Sequence, residues 1–436
     1  MAIAFAGRVD AAPMSIGSVA LASLVGTAIE WYDFLIYGTA AALVFNRLFF
    51  PDLDPALGTL AALATFAAGF AARPLGGVLF GHFGDTRGRK SMLVLTLLLM
   101  GIATSLIGLL PTYQQIGVAA PALLVGLRLC QGIGLGGEWG AAVVLAVEHA
   151  PSQRRGFYGS WPQMGAPAGL LLGNLAFLGV ATLPEPELFS WGWRVPFLVS
   201  LLLVVVGLLA RRGVSESPAF VRLKAGGAEA RQPLLEVVRR QPWAVLTTIG
   251  ARCAEIGAVS VFSTFLLSYA TQTIGLPRPS VIAALLAATL LVLVLVPVFG
   301  ALSDRLGRRS VYLLGAVATT LLVVPACLLI DSRNTAMLTL GVMIGLLGPA
   351  VMTGPQGSFF AELFGTRVRY TGASLGFQLG AALVGGLAPI AAASLVLASG
   401  DLRFVGVFMA GLGLVTVGSV WAAAARAQGD ASHGER

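Results

Sequence analysis

Glu30 and Asp33 stand three residues apart in "GTAIEWYDFLIYG" (26–38), inside an apolar run from about Met14 to Phe45. A helix puts both on one face. At the centre of a lone membrane span a carboxylate costs roughly 2.5–3.5 kcal/mol on insertion scales. These two therefore call for a water-filled cavity, a cation or a proton. A second apolar segment repeats the anomaly with both signs: Arg128, Gln131 and Glu138 fall with Leu135 on an arc about 80° wide at 100° per residue. In a third, Arg252 and Glu255 share a face. Acids at such depth can carry protons, because desolvation favours their neutral form, and arginines can hold a carboxylate through paired hydrogen bonds. The proton-coupling candidates are Glu138 first, Asp33 second, then Glu30. The substrate-binding candidates are Arg128, Arg252, Gln131, Tyr37, Gln163, Glu255 and Gln378, with Trp139 and Asn174 as further polar lining. Plainer readings stand beside these. Arg252 and Glu255 can be a pair that only neutralises itself, and Glu30 and Asp33 can bridge to Arg73 or Arg128. The aromatic and amide residues can be helix–helix glue. Arg128 and Glu138, ten residues apart, cannot pair along one helix.

The elements that position these residues are membrane spans. Hydrophobic residues make up 57% of the 436 and charged residues 11%, against about 25% charged in a soluble domain. The formal charge of +8 sits in short connections between apolar segments, without the basic faces of a nucleic-acid surface. Cys130, Cys253 and Cys327 are far apart with no CxxC, and His82, His149 and His433 are scattered, so neither a disulfide framework nor a metal site is expected. No nucleophile–base–orienter set appears in the polar segments, which argues against an enzyme. No cofactor is expected beyond a coupling proton.

Windows of ~20 apolar residues recur, near 16–45, 57–81, 91–111, 121–148, 157–181, 193–210, 243–271, 280–301, 310–330, 336–359, 370–397 and 403–424. The polar stretch 211–241 separates six spans from six. The organisation expected is a six-helix bundle over 1–210, a cytoplasmic linker over 211–241 with some amphipathic helix, and a second bundle over 242–436. With both tails inside, the Lys and Arg residues from Arg8 through Arg211 and Arg212 to Arg426 and Arg436 fall mostly on the cytoplasmic side. Only Arg47, Arg194, Arg278, Arg333 and Arg403 lie opposite. Both termini are thus expected in the cytoplasm.

One loop occurs twice. "GHFGDTRGRK" (81–90) follows the second span and "GALSDRLGRR" (300–309) the eighth, as a parallel repeat of two halves requires. Asp85 and Asp304 can cap helices or pair with Arg89 and Arg308, while the glycines permit a tight turn. Glu362 and Arg369, in "AELFGTRVRYTG" (361–372), read as a further inner-gate latch or as a plain helix cap. Gly165, Pro167 and Gly169 form a cluster expected to weaken the fifth span.

The paired loops and "RLCQG" (128–132) resemble signatures of the major facilitator superfamily. "EWYDFLIYG", "ARPLGGVLFGHFGD", "GGEWG", "SWGWRVPF" and "ELFGTRVRYTGASLGFQ" resemble its metabolite:proton symporter family over nearly the whole chain. The resemblance implies an all-α membrane protein, twelve transmembrane helices in two six-helix halves, working by alternating access in the cell membrane. It implies proton-coupled import of a small organic acid such as shikimate or a related carboxylate. Zwitterion symport of proline or betaine, and proton-coupled export, remain open alternatives. A monomer is the expected working unit.

Overall fold

The computed structural model describes residues 15–434, apart from positions 54 and 229. Twelve principal helices order the described residues: α1 (Ile16–Ala40), α2 (Pro55–Arg87), α3 (Arg89–Leu109), α4 (Ala119–His149), α5 (Arg155–Ala181), α6 (Val195–Arg211), α7 (Pro242–Ser260), α8 (Arg278–Leu306), α9 (Arg308–Ile330), α10 (Thr335–Glu362), α11 (Arg369–Gly380) and α12 (Arg403–Gly434). No strand occurs among the described residues. Eleven helical segments are long and apolar enough to cross a membrane, and α2 is the twelfth long helix. The twelve expected spans are therefore all present. Their ends run further into the loops than hydropathy alone places them, because the polar ends of α2 and α8 stay helical up to Gly88 and Gly307. Both glycines take positive φ, 122° and 90°, where a side chain would be strained. Arg8 and Arg436 lie outside the described residues, as do the side chains of Arg426 and His433.

Three helices continue through π-helical turns. α1 runs on through Ala41–Phe45 to Phe49, α7 through Val261–Phe265 and Tyr269–Thr273, and α11 through Ala381–Gly385 to a segment ending at Ser399. α1 and α7 occupy equivalent places in the two halves, so this irregularity repeats with the fold. Between the halves, Pro218–Ala225 and Pro233–Arg240 form two short helices of the linker, as its amphipathic pattern suggests. Arg211 departs from expectation. It is the last residue of α6, and its side chain is 2% exposed within the bundle rather than in the linker.

Within the first half α1 lies along α5, and α2 along α4; within the second, α9 lies along α10 and α12. The halves meet where α5 crosses α8 and α10, and where α2 crosses α11. We call the end holding the 81–90 and 300–309 loops the basic end. At the opposite end of the first half, Phe45, Phe49, Trp193 and Phe197 form one aromatic cluster. The 165–169 cluster does not break α5, which stays helical throughout. Instead Gly165 and Gly169 let α5 lie directly on Thr27, Ala28 and Trp31 of α1.

The α2–α4 crossing is closest at Gly132 and Gly136. A Cβ there would stand 2.1 Å from the Gly69 carbonyl oxygen and 2.0 Å from that of Arg73. Backbone cannot yield as a side-chain tip can, so Gly136→Ala should cost roughly 1–3 kcal/mol. Gly126→Ala, on the same helix with nothing within 4 Å, should not. Thermal melting of the two purified variants in one detergent checks this, and equal midpoints would refute the close crossing.

Candidate functional site

The basic end is a double latch. Asp85, at the end of α2, accepts hydrogen bonds from Thr371 N (2.8 Å), Thr371 Oγ1 (2.8 Å) and Tyr370 N (3.3 Å) at the start of α11. Asp304, at the end of α8, accepts from Gly156 N (2.7 Å) and Phe157 N (2.8 Å) at the start of α5. Each repeated aspartate thus satisfies the free N–H groups of a helix in the opposite half, where the helix dipole also favours an anion. Arg308 adds ion pairs to Glu362 (2.5 Å) and Asp304 (3.4 Å). Arg369 pairs with Glu148 at 2.9 Å, and Arg89 lies 3.5 Å from Glu148 and 3.6 Å from Asp85. Glu362 and Arg369 thus do not pair with each other: each meets an opposite charge on another helix. Glu148 was not anticipated; it also accepts from the Ser217 hydroxyl of the linker. Glu216 completes the assembly by accepting from the backbone N–H groups of Arg89 (3.1 Å) and Lys90 (3.2 Å), which start α3.

Deeper in the first half, Arg211 joins two carboxylates. Its Nη1 is 3.4 Å from Glu30 Oε1 and its Nη2 is 3.3 Å from Glu138 Oε1, while Nη1 also donates to the Leu93 carbonyl. Thr27 donates to Glu138 Oε1 at 2.7 Å and Thr96 to Glu30 Oε1 at 3.3 Å. Both acids are fully buried, and the second oxygen of each has no hydrogen-bond partner. Two of the three proton-coupling candidates are thus brought together. Their cation is Arg211, however, and not Arg73 or Arg128, and Glu138 does not act against Arg128. Asp33 stands apart beside Thr104 and Ser200, with neither carboxylate oxygen in a hydrogen bond of normal geometry.

At the seam between the halves lies a chain of polar contacts. Trp139 Nε1 donates to Gln163 Oε1 (2.6 Å), and Gln163 Nε2 to Gln356 Oε1 (2.7 Å). Gln356 Nε2 lies 3.3 Å from both Glu255 Oε2 and the Tyr312 hydroxyl. Arg252 pairs with Glu255 at 2.9 Å and donates to Gln356 at 3.2 Å. Its guanidinium carbon sits 3.3 Å from the Phe377 ring centroid, and Trp139 stacks on that ring at 3.6 Å. Gln378 accepts from Arg73 Nε and donates to the Gly136 carbonyl, both at 3.0 Å. Arg252 and Glu255 are therefore an intrahelical pair that also belongs to the inter-half network.

Arg128 has a different setting. Its Nη1 donates to the Phe34 carbonyl (3.1 Å) and to Gln131 Oε1 (2.9 Å). The rings of Phe34, Tyr37 and Phe66 surround its guanidinium carbon at 3.7, 4.4 and 4.6 Å. Tyr37 is held in turn by Thr65 at 2.6 Å, and Gln131 by Thr104 at 2.7 Å. The candidate residues thus divide among three neighbouring groups: the Arg211 cluster, the seam network and the Arg128 aromatic pocket. Asn174 is half-buried and takes no part in the network described.

Arg211, Gln356, Tyr312 and Phe377, with Glu148 and Glu216 at the basic end, are the residues that sequence reasoning missed. Gln356 did carry a signal, as an amide deep in an apolar span. Arg211 carried none, since at the end of α6 it is indistinguishable from an ordinary interfacial arginine.

The family model for sugar (and other) transporters matches residues 19–242 and 233–429. The chain is 44% identical to the shikimate transporter of Escherichia coli (strain K12) over 382 residues, covering 86% of this chain and 87% of that one. It is 36% identical to the proline/betaine transporter of the same organism, covering 91% and 81%. The fold matches the proton:xylose symporter XylE bound to 6-bromo-6-deoxy-D-glucose with a TM-score of 0.75 at 16% identity, covering 93% and 95%. The inward open conformation of XylE from E. coli matches with 0.60 at 18% identity, covering 93% and 96%. These relatives are named transporters, not enzymes. The chain belongs to the sugar (and other) transporter family, with the fold of the major facilitator superfamily.

Proposed function

We propose that the protein is a proton-coupled symporter that imports a small organic acid, shikimate or a related carboxylate, by alternating access. The observation that carries the proposal is the Glu30–Arg211–Glu138 cluster. Two buried carboxylates share one guanidinium, so the group holds an odd negative charge unless one acid binds a proton. Taking up that proton loosens one of the two bonds that tie Arg211 of α6 to α1 and α4. α4 also carries Arg128 at one level and Glu148 of the latch at another, so a shift of α4 reaches both the aromatic pocket and the gate. The positive-inside bias assigns the basic end, and both termini, to the cytoplasm. With Asp85 and Asp304 capping helices of the opposite half, the structure is then the stage whose inner gate is shut. Inward opening must break these caps together with the Arg369–Glu148 pair and the Arg308–Ser152 hydrogen bond, as the two halves rock about the seam.

The carboxylate reading draws on the buried arginines and on the similarity to a shikimate transporter. The proton reading draws on the acid cluster and on the proton:xylose symporter that shares the fold. Zwitterion import is the second reading. It draws on the proline/betaine transporters and on the aromatic rings that line the pocket.

Proteoliposomes offered shikimate should show substrate-triggered alkalinisation of the outer medium, removed by a protonophore. Uptake unchanged when both the pH gradient and the potential are collapsed would exclude coupling.

Glu138→Gln removes the titratable group while keeping its shape. Each pH unit of gradient supports about tenfold accumulation per coupled proton, at 1.4 kcal/mol per decade, and the variant should lose that accumulation. Exchange of labelled for unlabelled shikimate needs no net proton movement and should persist. Normal accumulation by this variant would move the proton to Glu30 or Asp33.

A further inference from the structure

Five arginines are buried among the charges described above, and they divide sharply. Arg89, Arg211 and Arg252 each have a carboxylate within ion-pair distance. Arg73 and Arg128, 1% and 0% exposed, have none among the described residues. Arg73 Nη1 and Arg128 Nε and Nη2 are buried without a hydrogen-bond partner. An uncompensated buried charge is strongly destabilising, and here two occur together.

Both guanidinium groups address one ring. Their carbons lie 3.7 Å (Arg128) and 6.0 Å (Arg73) from the Phe34 centroid, which places the two cations at most roughly 10 Å apart, close enough to repel in a dry site. Trp31 and Phe70 face Arg73 at 5.4 and 5.3 Å, as Tyr37 and Phe66 face Arg128. Aromatic faces stabilise a guanidinium over its plane. They leave its N–H edge available for a planar acceptor, which a pairing carboxylate of the protein would occupy. α2 is shaped for the arrangement, since Gly69 lies one turn before Arg73. A Cβ at Gly69 would stand 2.5 Å from Arg128 Nε, so only glycine lets that guanidinium rest there.

We infer that Arg73 and Arg128 form a two-cation site around Phe34 that takes the carboxylate of the transported substrate. The inference rests on the symport reading above and makes Arg73, in place of Arg252, the second substrate cation. Arg252 has its charge answered by Glu255 at ion-pair distance, and the same Nη1 also donates to Gln356. Arg73 stands at the seam: its Nε donates to Gln378 of the second half, and Arg252 and Glu255 are the charges that face it from there. A carboxylate on Arg73 is therefore felt by both halves, whereas Arg128 is enclosed wholly by α1, α2 and α4. Planar forks grip a carboxylate through two parallel hydrogen bonds, which a lysine cannot reproduce.

The test uses the full-length purified protein in nanodiscs, titrated with shikimate and with its neutral methyl ester, and followed by tryptophan fluorescence and scintillation-proximity binding. Wild type should prefer the acid to the ester. Arg73→Gln and Arg128→Gln should each weaken shikimate binding by about tenfold or more, the scale of a lost charged hydrogen bond, and leave ester binding nearly unchanged. Arg252→Gln should leave the acid-to-ester ratio intact. Arg73→Lys and Arg128→Lys guard against misfolding of the Gln variants, and should weaken the acid by a smaller factor. Should wild type show no preference for the acid, the carboxylate reading of the function falls and this site with it. Should wild type show the preference and either folded Gln variant, or either Lys variant, retain it in full, the symport reading stands and the two-arginine site is wrong.

Discussion

A charge inside a membrane-spanning bundle has to be answered by another charge, by hydrogen bonds or by a proton, because hydrocarbon supplies none of them. The first half is organised around one such answer. Arg211 reaches Glu30 on α1, Glu138 on α4 and the Leu93 carbonyl on α3, and it lies in the space that Gly26 leaves open. One side chain from the end of α6 thus sets the relative positions of four helices. Removing it would leave two carboxylates facing each other without compensation, and the helices could not stay where they are.

The same constraint shapes the second half differently. There Arg252 and Glu255 neutralise each other along one helix, and each also meets Gln356 at the seam. The two halves repeat in architecture, with π turns in α1 and α7 and aspartate caps at α5 and α11, but not in electrostatics. The two-carboxylate cluster sits in the first half, whereas the charges of the second half pair off within α7 and join the network at the seam.

The latch and the acid cluster are joined by a short piece of chain. Arg211 ends α6 inside the bundle, and within the next turn and bend Glu216 holds the start of α3 and Ser217 meets Glu148. Glu148 is also the partner of Arg369 and Arg89 at the basic end. Only four residues separate Arg211 from Glu216, so the acid cluster and the basic end are tied by covalent geometry and by the contacts of Glu216 and Ser217.

Membrane residence, twelve spans and the duplicated loop were legible because each depends on local composition or on a fixed spacing. A 20-residue apolar window must be a span whatever surrounds it, and an aspartate four residues after a glycine appears twice in plain view. The types of the site residues were legible for the same reason: Glu30, Glu138, Arg128 and Arg252 stand out wherever the chain is apolar. Their partners were not. Glu138 and Arg128 share a face of α4, yet one meets Arg211 and the other an aromatic pocket, since they lie at different depths and face different neighbours. Arg211 read as a linker residue because hydropathy marks where a helix ends but not which way its last side chain turns. Gly165 and Gly169 read as weak points because their neighbour α1 is invisible in sequence. The sequence by itself determined that charges such as Glu30, Glu138, Arg128 and Arg252 lie within apolar spans, and how many helices hold them. Only the tertiary structure decided which charge answers which, because that depends on the packing of helices far apart along the chain.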